Sequence, residues 1–184
     1  MANDSPNIIW VDCEMTGLDI NKDVLVEIAV LVTDSQLNVL GEGVDLVTKA
    51  EPAALEGMDD FVRNMHTESG LITEIPHGVS HSQAEAAILE YVKKYAPVEG
   101  KSPLAGNSVY VDRLFIDKYL PGFNSYLHYR TIDVSSIKEL VRRWYPKVYF
   151  AAPKKTGNHR ALGDIQDSID ELEYYRSAIF VPNL

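Results

Sequence analysis

Ile8-Ile9-Trp10-Val11-Asp12-Cys13-Glu14-Met15-Thr16-Gly17 is an apolar run that closes on two carboxylates. A short run of this kind reads as a buried central strand, over 7–14. Side chains along a strand alternate faces, so Asp12 and Glu14 point the same way and Cys13 points the other. Two carboxylates side by side at a strand's end repel each other unless one keeps a proton or a cation lies between them. The donors are all oxygen, which suits a hard divalent cation such as Mg²⁺ or Mn²⁺. Cys13 reads as a small buried hydrophobe rather than a nucleophile.

Outward from this strand, 24–33 and 38–47 read as two more, joined by the short turns Asn21-Lys22-Asp23 and Asp34-Ser35-Gln36. The pattern predicts an antiparallel meander. Glu27 interrupts the apolar run of the second strand, either as support for the carboxylate pair or as a hydrogen-bonded structural residue. Leu55, Met58, Val62 and Met65 recur at helical spacing after Pro52, with Phe61 off the centre of the stripe. Ser82 and Glu85 predict a capping box before Ile88, Tyr91, Val92 and Tyr95, and Ser136 and Glu139 predict another before Leu140, Val141 and Trp144. Leu104–Gly106 reads as a short strand leading to a helix near Asp112–Leu120, which Pro121-Gly122 ends. A last helix carries Leu162, Ile165, Ile169 and Leu172, starting near His159–Arg160 after a loop over Pro153–Asn158. Periodicity alone gives one α/β or α+β domain.

Three further groups extend the carboxylate pair in chain order: Asp112 after Gly106-Asn107-Ser108, then His159 and Asp164 in His159-Arg160-Ala161-Leu162-Gly163-Asp164. His159 and Asp164 do not share a face of one continuous helix. They converge only if His159 lies on the loop or first turn. Asp167 and Asp170 read as surface acids. Asn107 reads as orienting the turn before Asp112.

At these residues the chain resembles the oligoribonucleases, 3′-to-5′ exonucleases of the DEDDh group in the ribonuclease H-like superfamily. The resemblance rests on five motifs in order: Asp12-x-Glu14-x-Thr16-Gly17-Leu18, Gly106-Asn107-Ser108 before Asp112, His128-Tyr129-Arg130, Asp133-Val134-Ser135, and His159-Arg160-Ala161-Leu162-x-Asp164. Five spaced motifs in the right order are a strong signal, whereas any one is weak. The resemblance implies a single ribonuclease H-like α/β domain over 8–180, a mixed central sheet flanked by helices. Residues 1–7 would then be a flexible N-terminus and 181–184 a tail. It implies two divalent metal ions per site, Mg²⁺ or Mn²⁺. Asp12, Glu14 and Asp164 would hold one, Asp12 shared with a second on which Asp112 acts. His159, with an ordinary pKa of about 6.5, would be the general base. Leu18 would wedge between two bases. Phe61 would stack where many relatives carry Trp, against an alternative of helix core. His66, Ser108, Arg130 and Ser135 would cap a 5′-phosphate and restrict substrates to dinucleotides and very short RNA. Tyr129 would reach the partner's site across a homodimer. A DNA-trimming or proofreading exonuclease and a catalytically silent nucleotide-binding protein are the competing readings.

Composition is compatible with an enzyme of short substrates. The net charge of −10 is unfavourable for gripping a long polyanion. It is unevenly spread: from Tyr129 to Arg160 there are eight Lys/Arg and two acids, so that stretch carries +6 and the remainder −16. The single cysteine excludes an internal disulfide and suits a reducing cytoplasm. Residues 1–7 lack a signal- or transit-peptide pattern, and no apolar run is long enough for a membrane span.

Overall fold

The computed structural model describes residues 5–153 and 160–181. Strand β1, Ile8–Met15, lies inside a five-stranded sheet of order β3-β2-β1-β4-β5. It pairs antiparallel with β2, Leu25–Thr33, which pairs antiparallel with β3, Val39–Val47. On its other side runs β4, Leu104–Gly106, parallel to it, and then β5, Thr131–Asp133, parallel to β4. The expected meander is present, and the two parallel strands make the sheet mixed.

Alternation along β1 divides the core. Ile9, Val11, Cys13 and Met15 face one side, and Ile8 and Trp10 face the other. The first face is covered by α4, His81–Tyr95, α5, Tyr110–Tyr119, and α6, Pro121–Tyr126, through Ile88, Val92, Phe115, Ile116 and Phe123. The second is covered by α7, Val134–Trp144, and α9, Ala161–Ile179, through Val134, Val141, Ile165, Ile169 and Tyr175. Asp12 and Glu14 continue the Ile8–Trp10 face, so the strand aims them at the side where α9 packs. The Trp10 indole N–H donates to Thr33 Oγ1 at 3.0 Å, which satisfies a polar atom on a fully buried ring. Four smaller helices complete the described chain: α1, Pro52–Glu56; α2, Asp60–Glu68; α3, Leu71–Glu74, running into a 3-10 turn at Ile75–His77; and α8, Pro146–Ala151.

Local chemistry explains where the elements depart from the sequence reading. The stripe Leu55–Met65 is two helices, because the first stops at Gly57 and Asp59 caps the second by accepting the Val62 N–H at 2.8 Å. The capping box of α4 is Ser80 with Gln83, not Ser82 with Glu85. Glu85 instead accepts the Phe123 N–H at 3.0 Å. The second predicted box, Ser136 with Glu139, is also absent. Asp133 caps α7 by accepting the Ser135 N–H at 2.9 Å, and Glu139 pairs with Arg142 and Arg143. Pro121 ends α5 as expected and also opens α6, where its fixed φ and missing N–H suit a first helical turn. Among the described residues no helix is long and apolar enough to cross a membrane.

Candidate active site

Carboxyl oxygens of Asp12, Glu14 and Asp164 lie within 4.8 Å of one another. β1 supplies the first two, and the first turn of α9 supplies the third. The cluster is buried at Glu14 and half-buried at Asp12 and Asp164. Asp112, buried on α5, is tied to the strand: its Oδ1 accepts the Cys13 N–H at 2.9 Å, and the Cys13 thiol also bonds to it. The strand backbone between the first two carboxylates thus anchors a fourth. Cys13 itself is buried on the opposite face, and its thiol is pushed well up by burial and by Asp112 and Asp12. It stays a neutral hydrophobe.

The electrostatics record what this crowding costs. Burial, then Glu27, Asp164 and Asp112, push the Glu14 carboxyl up to about 8, against a smaller opposing pull from Arg160. Burial pushes Asp112 up to about 7, resisted by its own N–H and that of Cys13. Three convergent carboxylates with a strained proton balance are a donor set that fits a divalent cation. In metal-free protein Glu14 is protonated in the fold at a pH where the unfolded chain has lost that proton. The contribution of Glu14 to stability is therefore largest below about 4.5 and is lost as pH rises towards about 8. Melting temperature without metal should fall across that window from Glu14. Added Mg²⁺ should raise it more at pH 8 than at pH 5. A metal-free melting curve flat over the window would contradict the arrangement.

Glu27 resolves in favour of a structural role at the site. It is fully buried on β2 directly opposite Glu14 in the strand register. Its Oε1 accepts Arg160 Nε–H at 2.8 Å, and its Oε2 accepts the Ala161 N–H at 3.4 Å. No side chain of α9 caps its own N-terminus, so a carboxylate from the sheet takes that place. The rest of the Arg160 fork donates to both oxygens of Glu74 at 3.0 and 3.1 Å. The turn that carries Asp164 is thereby tied to β2 and α3. Sequence reading missed Arg160 and Glu74. Arg160 stood in the motif, but only the fold brings Glu74 to it. His159, the expected base, lies outside the described residues.

Beside the carboxylates lies a cavity of about 440 Å³ lined by Glu14, Met15, Gly17, Leu18, Phe61, Val62 and Met65, among others. Leu18 is 74 % exposed and Phe61 76 %, although both are large and apolar. The core alternative for Phe61 is thereby excluded. Leu18 sits on a tight turn in which Asp23 accepts the Thr16 hydroxyl at 3.0 Å and the Asp19 N–H at 2.8 Å. A Cβ on Gly17 would stand 2.5 Å from the Asp23 carboxylate, so a larger residue there would push that carboxylate off its hydrogen bonds to Thr16 and Asp19.

The remaining expected contacts fall into three groups. His66 is fully buried: its Nε2–H donates to the Met15 carbonyl at 2.8 Å, and its Nδ1 is 3.9 Å from Glu14 Oε2. As placed, it braces the end of β1. Ser108 and Ser135 meet, Oγ to Oγ at 3.1 Å. Tyr129 is 73 % exposed, with His128 against one side of its ring and the Arg130 guanidinium 5.4 Å from its centroid. Arg113, next to Asp112, donates to the His128 and Tyr129 carbonyls at 3.1 and 3.2 Å and so fixes the backbone that displays the tyrosine.

Carboxylates converge from the central strand and the last helix of a mixed sheet, and the Exonuclease family model of RNase T type matches residues 9–172, which places the chain among the exonucleases. The solved structures share the fold. The zinc-bound E. coli ExoI–ssDNA complex superposes with a TM-score of 0.69 at 15 % identity, covering 95 % of this chain and 41 % of that one. Exonuclease I in its apo form gives 0.69 at 15 %, covering 94 % and 42 %. This chain thus spans about two fifths of their length. The chain belongs to the oligoribonuclease family. It is 58 % identical to the oligoribonuclease of Leifsonia xyli over 98 % of this chain and 87 % of that protein. It is 56 % identical to that of Streptomyces coelicolor over 95 % and 88 %, and 54 % identical to that of Mycobacterium bovis over 95 % and 82 %.

Proposed function

We propose that this protein is a 3′-to-5′ exoribonuclease that hydrolyses dinucleotides and very short oligoribonucleotides to mononucleotides. The observation that carries the proposal is the convergence of Asp12, Glu14 and Asp164 next to an apolar cleft with Leu18 and Phe61 exposed in it. Two divalent cations, Mg²⁺ or Mn²⁺, would supply the charge that activates water and stabilises the leaving oxygen. Asp12, Glu14 and Asp164 would hold one and Asp112 would act on the other. His159 would take the proton of the attacking water. Leu18 and Phe61 would grip the two bases, one by wedging and one by stacking. Ser108, Ser135 and Arg130 would hold the 5′-phosphate, with Arg130 supplying charge, Ser108 a hydroxyl donor and Ser135 the oxygen that positions it. His66, fully buried against Met15 and Glu14, would act on the carboxylate end of the site and not on the phosphate itself. The functional unit would be the single domain over 8–180, working in the cytoplasm. A turnover series on 5′-phosphorylated RNAs of two to seven nucleotides tests the reading. Rates should be highest on the dimer and fall with length. A rate that rises with length would overturn it.

Phe61→Ala should weaken dinucleotide binding by about 1–3 kcal/mol, the value of one base–aromatic stack. Because the ring is exposed, stability should move by less than about 0.5 kcal/mol. Unchanged KM with a lowered melting temperature would remove Phe61 from the substrate site.

The exposed Tyr129 would complete the partner's site in a homodimer, so each site would be built from both chains. Tyr129→Ala and Asp12→Ala should each be inactive alone. Mixed under conditions of subunit exchange, they should regain up to about a quarter of wild-type activity, since half the dimers are mixed and each has one intact site. Confirmed exchange without recovery would place the tyrosine's action in its own chain.

A further inference from the structure

Asn107 joins the two serines of the cap to the helix that carries Asp164. Its Oδ1 accepts the Ser135 hydroxyl at 3.1 Å. Its Nδ2 donates to Ser168 Oγ at 2.8 Å and to Glu171 Oε2 at 3.2 Å. Ser168 in turn donates to the Asp164 carbonyl at 2.8 Å. Glu171 is itself fixed, by Lys138 Nζ at 3.0 Å and by the Tyr175 hydroxyl at 3.0 Å. One amide therefore has its acceptor end in the cap and its donor end in α9.

The backbone shows that this arrangement is enforced. Ser108 sits at φ +54°, a left-handed conformation uncommon outside glycine. Its N–H donates to Asp133 Oδ1 at 3.0 Å, the same oxygen that accepts the Ser135 N–H at 2.9 Å. The preceding Gly106 packs so closely that a Cβ there would stand 2.7 Å from the Val11 carbonyl. Asp133 thus sets the two serine backbones, and Asn107 sets the Ser135 hydroxyl. The Ser135 proton is committed to Asn107, so the short contact between the serines is donated by Ser108. An incoming anion would compete with Ser135 for the Ser108 proton, while Asn107 keeps the Ser135 hydroxyl where it is.

We infer that Asn107 is a positioning residue that sets the enzyme's discrimination for a 5′-phosphate, by orienting the Ser135–Ser108 hydroxyl pair from α9. The inference rests on the reading of these serines as the phosphate cap. Its test compares kcat/KM for the 5′-phosphorylated dinucleotide pApA with that for ApA, which bears a 5′-hydroxyl, at saturating Mg²⁺. The ratio of the two is independent of how much of a variant is folded, because one enzyme population acts on both. In the wild type the ratio should be well above one. Asn107→Ala should lower it about tenfold, the effect of one misplaced hydrogen bond to a charged group. In a Ser135→Ala background the same substitution should change it no further, since the two residues act as one unit. A wild-type enzyme that does not discriminate would overturn the phosphate-cap reading and the inference with it. A discriminating wild type whose ratio survives Asn107→Ala within twofold would overturn the inference alone. Full additivity with Ser135→Ala would do the same.

Discussion

Asp12→Asn should reduce turnover of a dinucleotide to below about a tenth of the wild-type rate at saturating Mg²⁺, with the fold retained. The substitution is close to isosteric, so packing at β1 is unchanged. What changes is charge. Three carboxylates share a space in which their oxygens lie within 4.8 Å, and Asp12 is the most central of the expected ligands by role. An amide oxygen still donates a lone pair but brings no net charge, and the cation-binding set drops from three anions to two. The same loss relieves repulsion in the unloaded protein, so its melting temperature should hold or rise. Rate and stability then move in opposite directions, which a misfolded variant cannot mimic. A variant that keeps more than a tenth of the rate, or that loses activity and melting temperature together, would count against metal ligation by Asp12.

Arg160→Met should be the most destabilising substitution near the site. Glu27 is fully buried; Arg160 Nε is its one cationic partner among the described residues, beside a long helix N–H and a side-chain bond with Asp45. Removing one member of a buried pair leaves an uncompensated charge, at about 3–5 kcal/mol. For a chain of this size that is roughly 6–20 °C in melting temperature. Glu27 already lies above the usual carboxylate range through burial and Asp45. Losing Arg160 would push it further the same way, so proton uptake offsets part of the lost pairing and puts the expected loss at the lower end. Activity should fall further than stability, because the start of α9 loses its ties to β2 and α3 and Asp164 sits one turn in. Arg160→Lys should recover little, since an ammonium cannot fork to both Glu27 and Glu74. Adding Glu27→Gln to Arg160→Met should restore most of the stability but little of the rate. If the single variant melts within about 2 °C of wild type, the clamp has no energetic weight.

Chemistry that repeats along the chain was legible without coordinates. The apolar run before Asp12 read as a central strand, the meander followed from the short turns, and the order of acidic motifs led to the family. Asp12, Glu14 and Asp164 are brought together as those motifs implied. What did not show was set by contacts between distant segments. Several Ser and Glu residues satisfy capping spacing near 80–85, and only the backbone decides that Ser80 with Gln83 wins while Glu85 turns to α6. Glu27 could be read two ways because its partner lies 133 residues away. By sequence Asn107 reads as local to its turn, whereas its amide spans to Ser168 and Glu171 on α9. Phe61 sat off its stripe by sequence, but only its exposure separates a stacking surface from a core ring.

The alternation along β1 ties folding to chemistry in one further way. The strand carries apolar residues on both faces, so hydrophobic pairing alone would tolerate it shifted by one position against β2. Asp12 and Glu14 do not tolerate it. A slip of one residue turns every side chain over and drives both carboxylates into the packed layer now filled by Cys13, Ile88 and Phe115, away from water. Each buried, unpaired carboxyl would cost on the order of several kcal/mol. The pair proposed to hold the metal would therefore also edit the assembly of the sheet. Neutralising both positions would remove a penalty on wrong pairings as well as an activity, and misregistered chains should accumulate during refolding.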